Sequence, residues 1–154
     1  MPIFLITAPS GAGKTTLVKK LESIGLWREC VSVTTRGMRE GEQDGVTYYY
    51  IREDEFMRLK ENNELIESVK YDGNYYGITR GALERVSDKG NHVAIIVEHD
   101  GYLQIKEQFP DAVGIFLYMS KEDCLANMLL RGDSLEKAMN RIETYDKEMA
   151  NRID

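Results

Sequence analysis

The chain has 154 residues, 42% of them hydrophobic and 30% charged, a composition that fits one folded domain with a sizeable core and excludes a disordered or membrane-embedded protein. Its net charge of -6 argues against a broad nucleic-acid-binding surface, so any phosphate it holds must be met by local positive charge. Cys30 and Cys124 stand far apart without C-x-x-C spacing and no apolar run is long enough to span a bilayer, so a reduced, cytoplasmic protein with no nucleic-acid or membrane partner is expected.

Pro2 to Thr7 is an apolar run that reads as a parallel strand buried on both faces. A glycine-rich stretch leads from it into helical spacing at Thr16, Leu17, Lys20, Leu21 and Ile24, closed by Gly25. Cys30 to Thr34 reads as a strand, Thr35 to Gly45 as a polar loop, and Val46 to Ile51 as a return to strand. A short amphipathic helix follows over Glu53 to Asn62. Glu64 to Lys70 and Tyr75 to Ile78 form a predicted hairpin around Asp72-Gly73-Asn74. Helical spacing returns from Gly81 to Lys89 with Gly90 as its stop, and His92 to Val97 is a second buried strand. A short helix then reaches Phe109, where Pro110 breaks it. Ala112 to Met119 is a third buried strand. Ser120 caps a helix over Lys121 to Leu130, helped by Glu122 and Asp123 in its first turn. After a break at Arg131-Gly132-Asp133, a final helix is expected from Leu135 nearly to Asp154.

This alternation predicts an α/β fold in a single domain over 1–154, a parallel sheet flanked by helices. Residues 1–31 and 79–130 would supply the core. Residues 32–78 would form a β-rich insertion, the natural place to grip a substrate.

Between the first strand and helix lies Ala8-Pro9-Ser10-Gly11-Ala12-Gly13-Lys14-Thr15, which matches the P-loop pattern except that Ala8 stands where a glycine is usual. Its glycines let backbone N–H groups converge on a phosphate at a helix N-terminus. Lys14 reaches the β- and γ-phosphates and the Thr15 hydroxyl holds Mg²⁺. The expectation is ATP or GTP binding by Ser10, Gly11, Ala12, Gly13, Lys14, Thr15 and Thr16.

A second phosphate site is suggested by Arg36 and Arg39, three residues apart in a glycine-containing loop followed by Tyr48. Arginine's planar fork binds phosphate oxygens in pairs and a tyrosine hydroxyl adds a neutral donor. With the P-loop, three blocks now stand in order: A-P-S-G-A-G-K-T, then S-V-T-T-R-x-x-R-x-G-E-x-D-G-x-x-Y, then E-S-V-K-Y-D-G-N-Y-Y-G. In these the sequence resembles the guanylate kinase family over nearly its whole length. The resemblance implies a P-loop NTPase-type core, a small GMP-binding insertion and a helical lid over 131–142. It implies that Ser32 and Glu67 contact guanine, with Thr79 and Glu98 beside them, and that Arg36, Arg39, Tyr48 and Tyr76 hold the GMP phosphate. It places Arg131 and Arg141, as lid arginines, against the transferring phosphoryl group. Lys14, Arg36, Arg131 and Arg141 are thus the expected catalytic residues, with ATP as donor, GMP or dGMP as acceptor, and Mg²⁺ as cofactor. The residues agree with this chemistry: a carboxylate at Glu67 accepts both N1–H and the N2 amino group of guanine, whereas adenine has no donor at N1. An acceptor phosphate is already anionic, so no general base is needed, and His92 and His99 receive no role.

The chain departs from the family's pattern in four places. Ile96 occupies the first acidic position of the family's D-x-D-x-Q-G segment, with Glu98 in the second. Ile78 stands where the family has a hydroxyl that touches guanine, with Thr79 next. Met128 stands where an additional lid arginine is common, and the sequence stops at Asp154, before the family's last strand. Two alternatives therefore stay open: a guanylate-kinase-like module that binds phosphopeptides, and a kinase for another small phosphorylated acceptor.

Overall fold

The apolar run at the start of the chain forms β1 (Ile3–Thr7), whose Leu5 and Ile6 are fully buried on opposite faces of the sheet. The structure, a computed structural model, describes residues 2–9, 11–88 and 92–150. Around β1 lies a four-stranded sheet in the order β2-β7-β1-β8, from β2 (Trp27–Glu29), β7 (His92–Ile96) and β8 (Val113–Phe116), with every neighbouring pair parallel. Parallel strands need covered faces, and both are covered here. Val18 of α1 (Lys14–Ser23) packs with Ile6, Trp27 and Ala94 on one side. On the other, Leu5, Val93 and Ile95 meet Leu83 of α3 (Arg80–Ser87) and Ile105 of α4 (His99–Gln108). This is the α/β architecture expected.

A second four-stranded sheet, in the order β4-β3-β6-β5, is built from β3 (Val33–Thr34), β4 (Tyr49–Tyr50), β5 (Leu65–Tyr71) and β6 (Asn74–Thr79). Its hairpin turns at Asp72 (φ 49°) and Gly73 (φ 78°), both left-handed, the geometry a two-residue turn needs to match the strand twist. Phe56 of α2 (Glu53–Glu61) is wholly buried and stacks on Tyr75. Ile66 and Ile78 of this sheet share one apolar cluster with Leu5 and Ile95 of the first, so the two sheets are joined by packing and not by chain alone.

Three expected elements are corrected. The strand placed at Cys30 to Thr34 divides: β2 ends at Glu29, Cys30 N–H still donates to Ala94 O (2.9 Å), and β3 at Val33–Thr34 belongs to the other sheet. Trp27 anchors β2 by stacking on Phe4 with centroids 5.0 Å apart. Val46 to Thr47 is a turn held by Val46 and Thr47 N–H donating to Gln43 O, which leaves Tyr49–Tyr50 as strand. The final helix breaks in two, α6 (Leu135–Ile142) and α7 (Tyr145–Ala150), where the Thr144 hydroxyl donates to Arg141 O (2.8 Å) and competes with helix continuation. Residues 151–154 and the stop at Gly90 lie outside the described residues. α5 (Lys121–Leu130) has the expected bounds, with Ser120 Oγ accepting from Asp123 N–H at 3.2 Å. No helix among the described residues is long and apolar enough to cross a membrane.

Candidate active site

The phosphate loop is shaped by two left-handed glycines, Gly11 (φ 85°) and Gly13 (φ 86°), after which α1 begins at Lys14 with its first N–H groups free to point outward. A Cβ at Gly11 would lie 2.5 Å from Cys124 O, so the loop is pressed against the backbone of α5. Asn127 Nδ2 donates to Gly11 O at 2.8 Å. Ala8, Ala12, Cys124, Met128, Ala138 and Ile142 form the apolar bed beneath. Lys14 Nζ folds back to Ala8 O at 3.4 Å, and burial lowers its pKa against the opposing pull of Glu148 and Glu98. The charges of Arg141 and Arg131 push the same way as burial. One P-loop lysine therefore lies in the field of two arginines from α6 and the end of α5. Arg131 itself pairs with Asp133 through Nε (2.9 Å) and Nη2 (2.7 Å), which holds that carboxyl below its usual range. Thr15 and Thr16 are exposed on the first turn of α1, and Ser10 lies outside the described residues.

A second cluster gathers on β3, the loop after it, and β6. Arg36 donates from Nη1 and Nη2 to the two oxygens of Glu42 at 2.9 and 2.8 Å, and Glu42 Oε1 also accepts from Arg39 N–H at 2.8 Å. The Arg36 hydrogen bonds pull the Glu42 carboxyl down to about 2. The guanidinium stands over the Tyr48 ring, 5.4 Å from its centroid, and Tyr48 meets Tyr76 edge to face at 5.7 Å. Burial, and then the neighbouring Tyr76, raise the Tyr48 hydroxyl above its ordinary value. The buried Tyr50 hydroxyl lies beside Glu42 without a hydrogen bond of normal geometry.

Glu67 is buried, at 6% exposure, in β5. Burial first, and the charge of Glu98 second, raise its carboxyl to about 7. No hydrogen-bond donor among the described residues serves it, and its Oε2 sits where a Cβ on Gly101 would come within 2.6 Å. The exposed carboxylate of Glu98, the residue before α4, favours the charged form of Lys14 and disfavours that of Glu67, so its charge reaches both.

The guanylate kinase family model matches residues 1–154. The chain belongs to the guanylate kinase family. It is 40% identical to a guanylate kinase of Oceanobacillus iheyensis over 156 residues, covering 99% of this chain and 73% of that protein. It is 39% identical to a guanylate kinase of Chromohalobacter salexigens, covering 94% and 72% respectively. Among solved structures, the crystal structure of guanylate kinase from Anaplasma phagocytophilum superposes with a TM-score of 0.69 at 33% identity, covering 99% of this chain and 81% of that one.

Of the residues expected from the sequence, Arg36, Tyr48 and Tyr76 stand together, and the charges of Glu98, Arg141 and Arg131 act on Lys14. Arg39 joins the Arg36 cluster through its backbone N–H, its side chain being exposed. Ser32 is half-buried, with its carbonyl accepting from Tyr49 N–H at 2.9 Å. The Thr79 hydroxyl oxygen accepts from Ala82 N–H at 3.1 Å and caps α3. Two expected departures look different in three dimensions. Ile78 is fully buried against Leu83 and Ile66, so its side chain belongs to the core and not to the face where a base would lie. Met128 is likewise fully buried in the apolar cluster beneath the P-loop, and its neighbour Asn127 makes the contact to the loop. The sequence alone gives no role to Asn127 or to Glu42, the fixed acid of the R-x-x-R-x-G-E block. For Glu42 the signal was present: an acid six residues after Arg36 in an Arg-rich turn.

Proposed function

We propose that the chain transfers the γ-phosphoryl group of ATP to the phosphate of GMP or dGMP, giving ADP and GDP or dGDP. The observation that carries this reading is Glu67. Glu67 is a largely buried carboxyl that no described side chain serves as a donor, so a ligand can supply its hydrogen bonds, and guanine offers two adjacent N–H donors at N1 and N2. Its link through Glu98 to the surroundings of Lys14 supports placing donor and acceptor sites on one cleft. In this reading 1–31 and 79–130 act as the core, 32–78 grips the acceptor, and 131–142 closes as a lid. Arg36, Arg39, Tyr48 and Tyr76 hold the acceptor phosphate, Arg36 exchanging Glu42 for the incoming dianion. Ser32, Glu67, Thr79 and Glu98 line the base side. Residues 10–16 hold the ATP phosphates. The Thr15 hydroxyl, an exposed hard oxygen at the helix start, suits Mg²⁺, which takes few protein ligands alongside phosphate oxygens and supplies charge neutralisation. Among the described residues no group of three His, Cys, Asp or Glu gathers into a protein-only metal site.

An oxygen of the acceptor phosphate attacks Pγ as the bond from Pγ to the ADP oxygen breaks. The protein aligns the two and neutralises charge that spreads over the transferring oxygens. The charges of Arg131 and Arg141, which act on Lys14, support giving that work to these three cations. The same trio around an intact P-loop weighs against a phosphopeptide-binding module. Replacing Arg36 with Met is expected to raise KM for GMP by about 10- to 100-fold, as for loss of a bidentate charged contact, with KM for ATP within about twofold. Equal damage to both substrates in steady-state kinetics would move Arg36 out of the acceptor site.

Acidity offers a second test. Because the folded-state value of Glu67 lies above the ordinary 4.5, its contribution to stability is present below 4.5 and is lost as pH rises through about 7. GMP binding runs the other way, since N1–H and the amino group need the ionised carboxylate. KM for GMP is therefore expected to fall by about tenfold between pH 6 and 8, with KM for ATP less affected. The acceptor's own second phosphate ionisation, near 6 for a phosphomonoester, contributes to the lower part of that change. Glu67→Gln should retain the phosphate component and lose the rest. A pH profile identical in the two proteins would separate Glu67 from the base.

A further inference from the structure

We infer that Gln104 and Gln108 of α4 are positioning residues for Glu67, gripping the main chain of edge strand β5 on both sides of it so that its carboxyl is held at the acceptor base. The inference rests on the reading of Glu67 as the guanine-binding carboxylate.

β5 is the last strand of the order β4-β3-β6-β5, so one edge of its backbone has no strand neighbour. An exposed edge leaves N–H and C=O groups unpaired and the strand free to slip. Here α4 takes the place of the missing strand. Ser68 N–H donates to Gln104 Oε1 at 3.0 Å, and Gln104 Nε2 donates back to Ser68 O at 3.0 Å, so one side-chain amide reproduces both ladder bonds of a paired residue. One turn later Gln108 Nε2 donates to Ile66 O and, at 3.2 Å, to Gln104 O. The amide orientation of Gln108 is fixed from the other side, because its Oε1 accepts from Arg80 Nη2 at 3.1 Å while Arg80 Nε is anchored on Asn63 O at 2.9 Å.

The spacing explains why two glutamines suffice. Four residues of helix advance about 6 Å, and two residues of strand advance about 6.6 Å, so amides at i and i+4 fall beside backbone groups at j and j−2 of a strand running alongside. The residue between Ile66 and Ser68 is Glu67. The same helix face continues to Gly101, whose missing Cβ makes room for Glu67 Oε2. The hairpin register also slips here, from Leu65↔Thr79 to Glu67↔Ile78, leaving Ile66 without a partner in β6. A bulge of this kind lets a strand re-aim a side chain, and Gln108 takes up the carbonyl it leaves over. α4 itself cannot drift, because Ile105, between the two glutamines, is fully buried against the parallel sheet. The clamp thus ties the carboxyl that selects the base to the layer that carries the P-loop.

The test is a double-mutant cycle with Gln104→Leu, which keeps the size and removes both bonds to Ser68. In the otherwise unaltered protein, kcat/KM for GMP should fall about tenfold, the scale of two lost net hydrogen bonds, with KM for ATP within about twofold. The GMP-over-AMP preference should narrow, and the pH midpoint of KM for GMP should move. In a Glu67→Gln background the same change should leave the preference where Glu67→Gln alone put it. Loss of activity toward GMP and AMP alike, or an effect on preference that persists undiminished without Glu67, would overturn the clamp. If Gln104→Leu does not fold, Gln104→Glu, which accepts from Ser68 N–H but repels Ser68 O, and Gln108→Leu carry the same cycle with the same required outcome. If Glu67→Gln changes the preference and the glutamine variants do not, the clamp fails alone. If Glu67→Gln changes nothing, the base-site reading fails whatever the glutamines do.

Discussion

Lys14→Ala is expected to slow phosphoryl transfer by about 10²- to 10³-fold, the usual cost of removing one preorganised donor to transition-state charge, while GMP binding stays within about twofold. Lys14 stands at the start of α1 with Nζ 3.4 Å from Ala8 O. Burial already disfavours its charged form, so the folded loop holds this ammonium at a cost that anionic phosphates would offset. Calorimetric titration with GMP and single-turnover transfer measured on one preparation check both halves. A variant that keeps more than a tenth of the rate would contradict the assignment of the P-loop.

The second large effect concerns the base. GMP should exceed AMP as substrate by at least about 100-fold in kcat/KM, because a site built to receive N–H donors leaves its buried carboxylate unmatched against the adenine N1 lone pair. Glu67→Gln should narrow that gap by about tenfold or more, since an amide can present either a donor or an acceptor. Position 78 is not a useful control, because Ile78→Ser would place an unpartnered hydroxyl in the core. An AMP-to-GMP ratio unchanged by Glu67→Gln would remove Glu67 from the pocket.

What could be read in the sequence was what is local. The strand, glycine turn and lysine of the P-loop follow one another without interruption, the hairpin is set by Asp72 and Gly73, and the Ser120 cap fixes the start of α5. What escaped depends on partners distant in the chain. β2 has three residues, two of them charged, and exists because Trp27 stacks on Phe4 and pairs with His92. The inward direction of Ile78 and Met128 follows from how two layers meet, which no periodicity reports. The break at Thr144 comes from one hydroxyl reaching back to Arg141 O. Within the site, Arg36, Tyr48 and Tyr76 carried a recognisable pattern. Gln104 and Gln108 carried none, because a polar pair at i and i+4 reads as a solvated helix face until the edge of β5 is seen beside it.

The function proposed for this chain is phosphoryl transfer from ATP to a guanine mononucleotide. Its most direct test is ADP release by the purified chain with Mg²⁺ and ATP, measured against GMP, dGMP, AMP, CMP and UMP. Turnover with GMP and dGMP, and turnover at least about 100-fold weaker with the other three, is the expected result. Equal use of AMP, or no ADP release with any of the five, would contradict it.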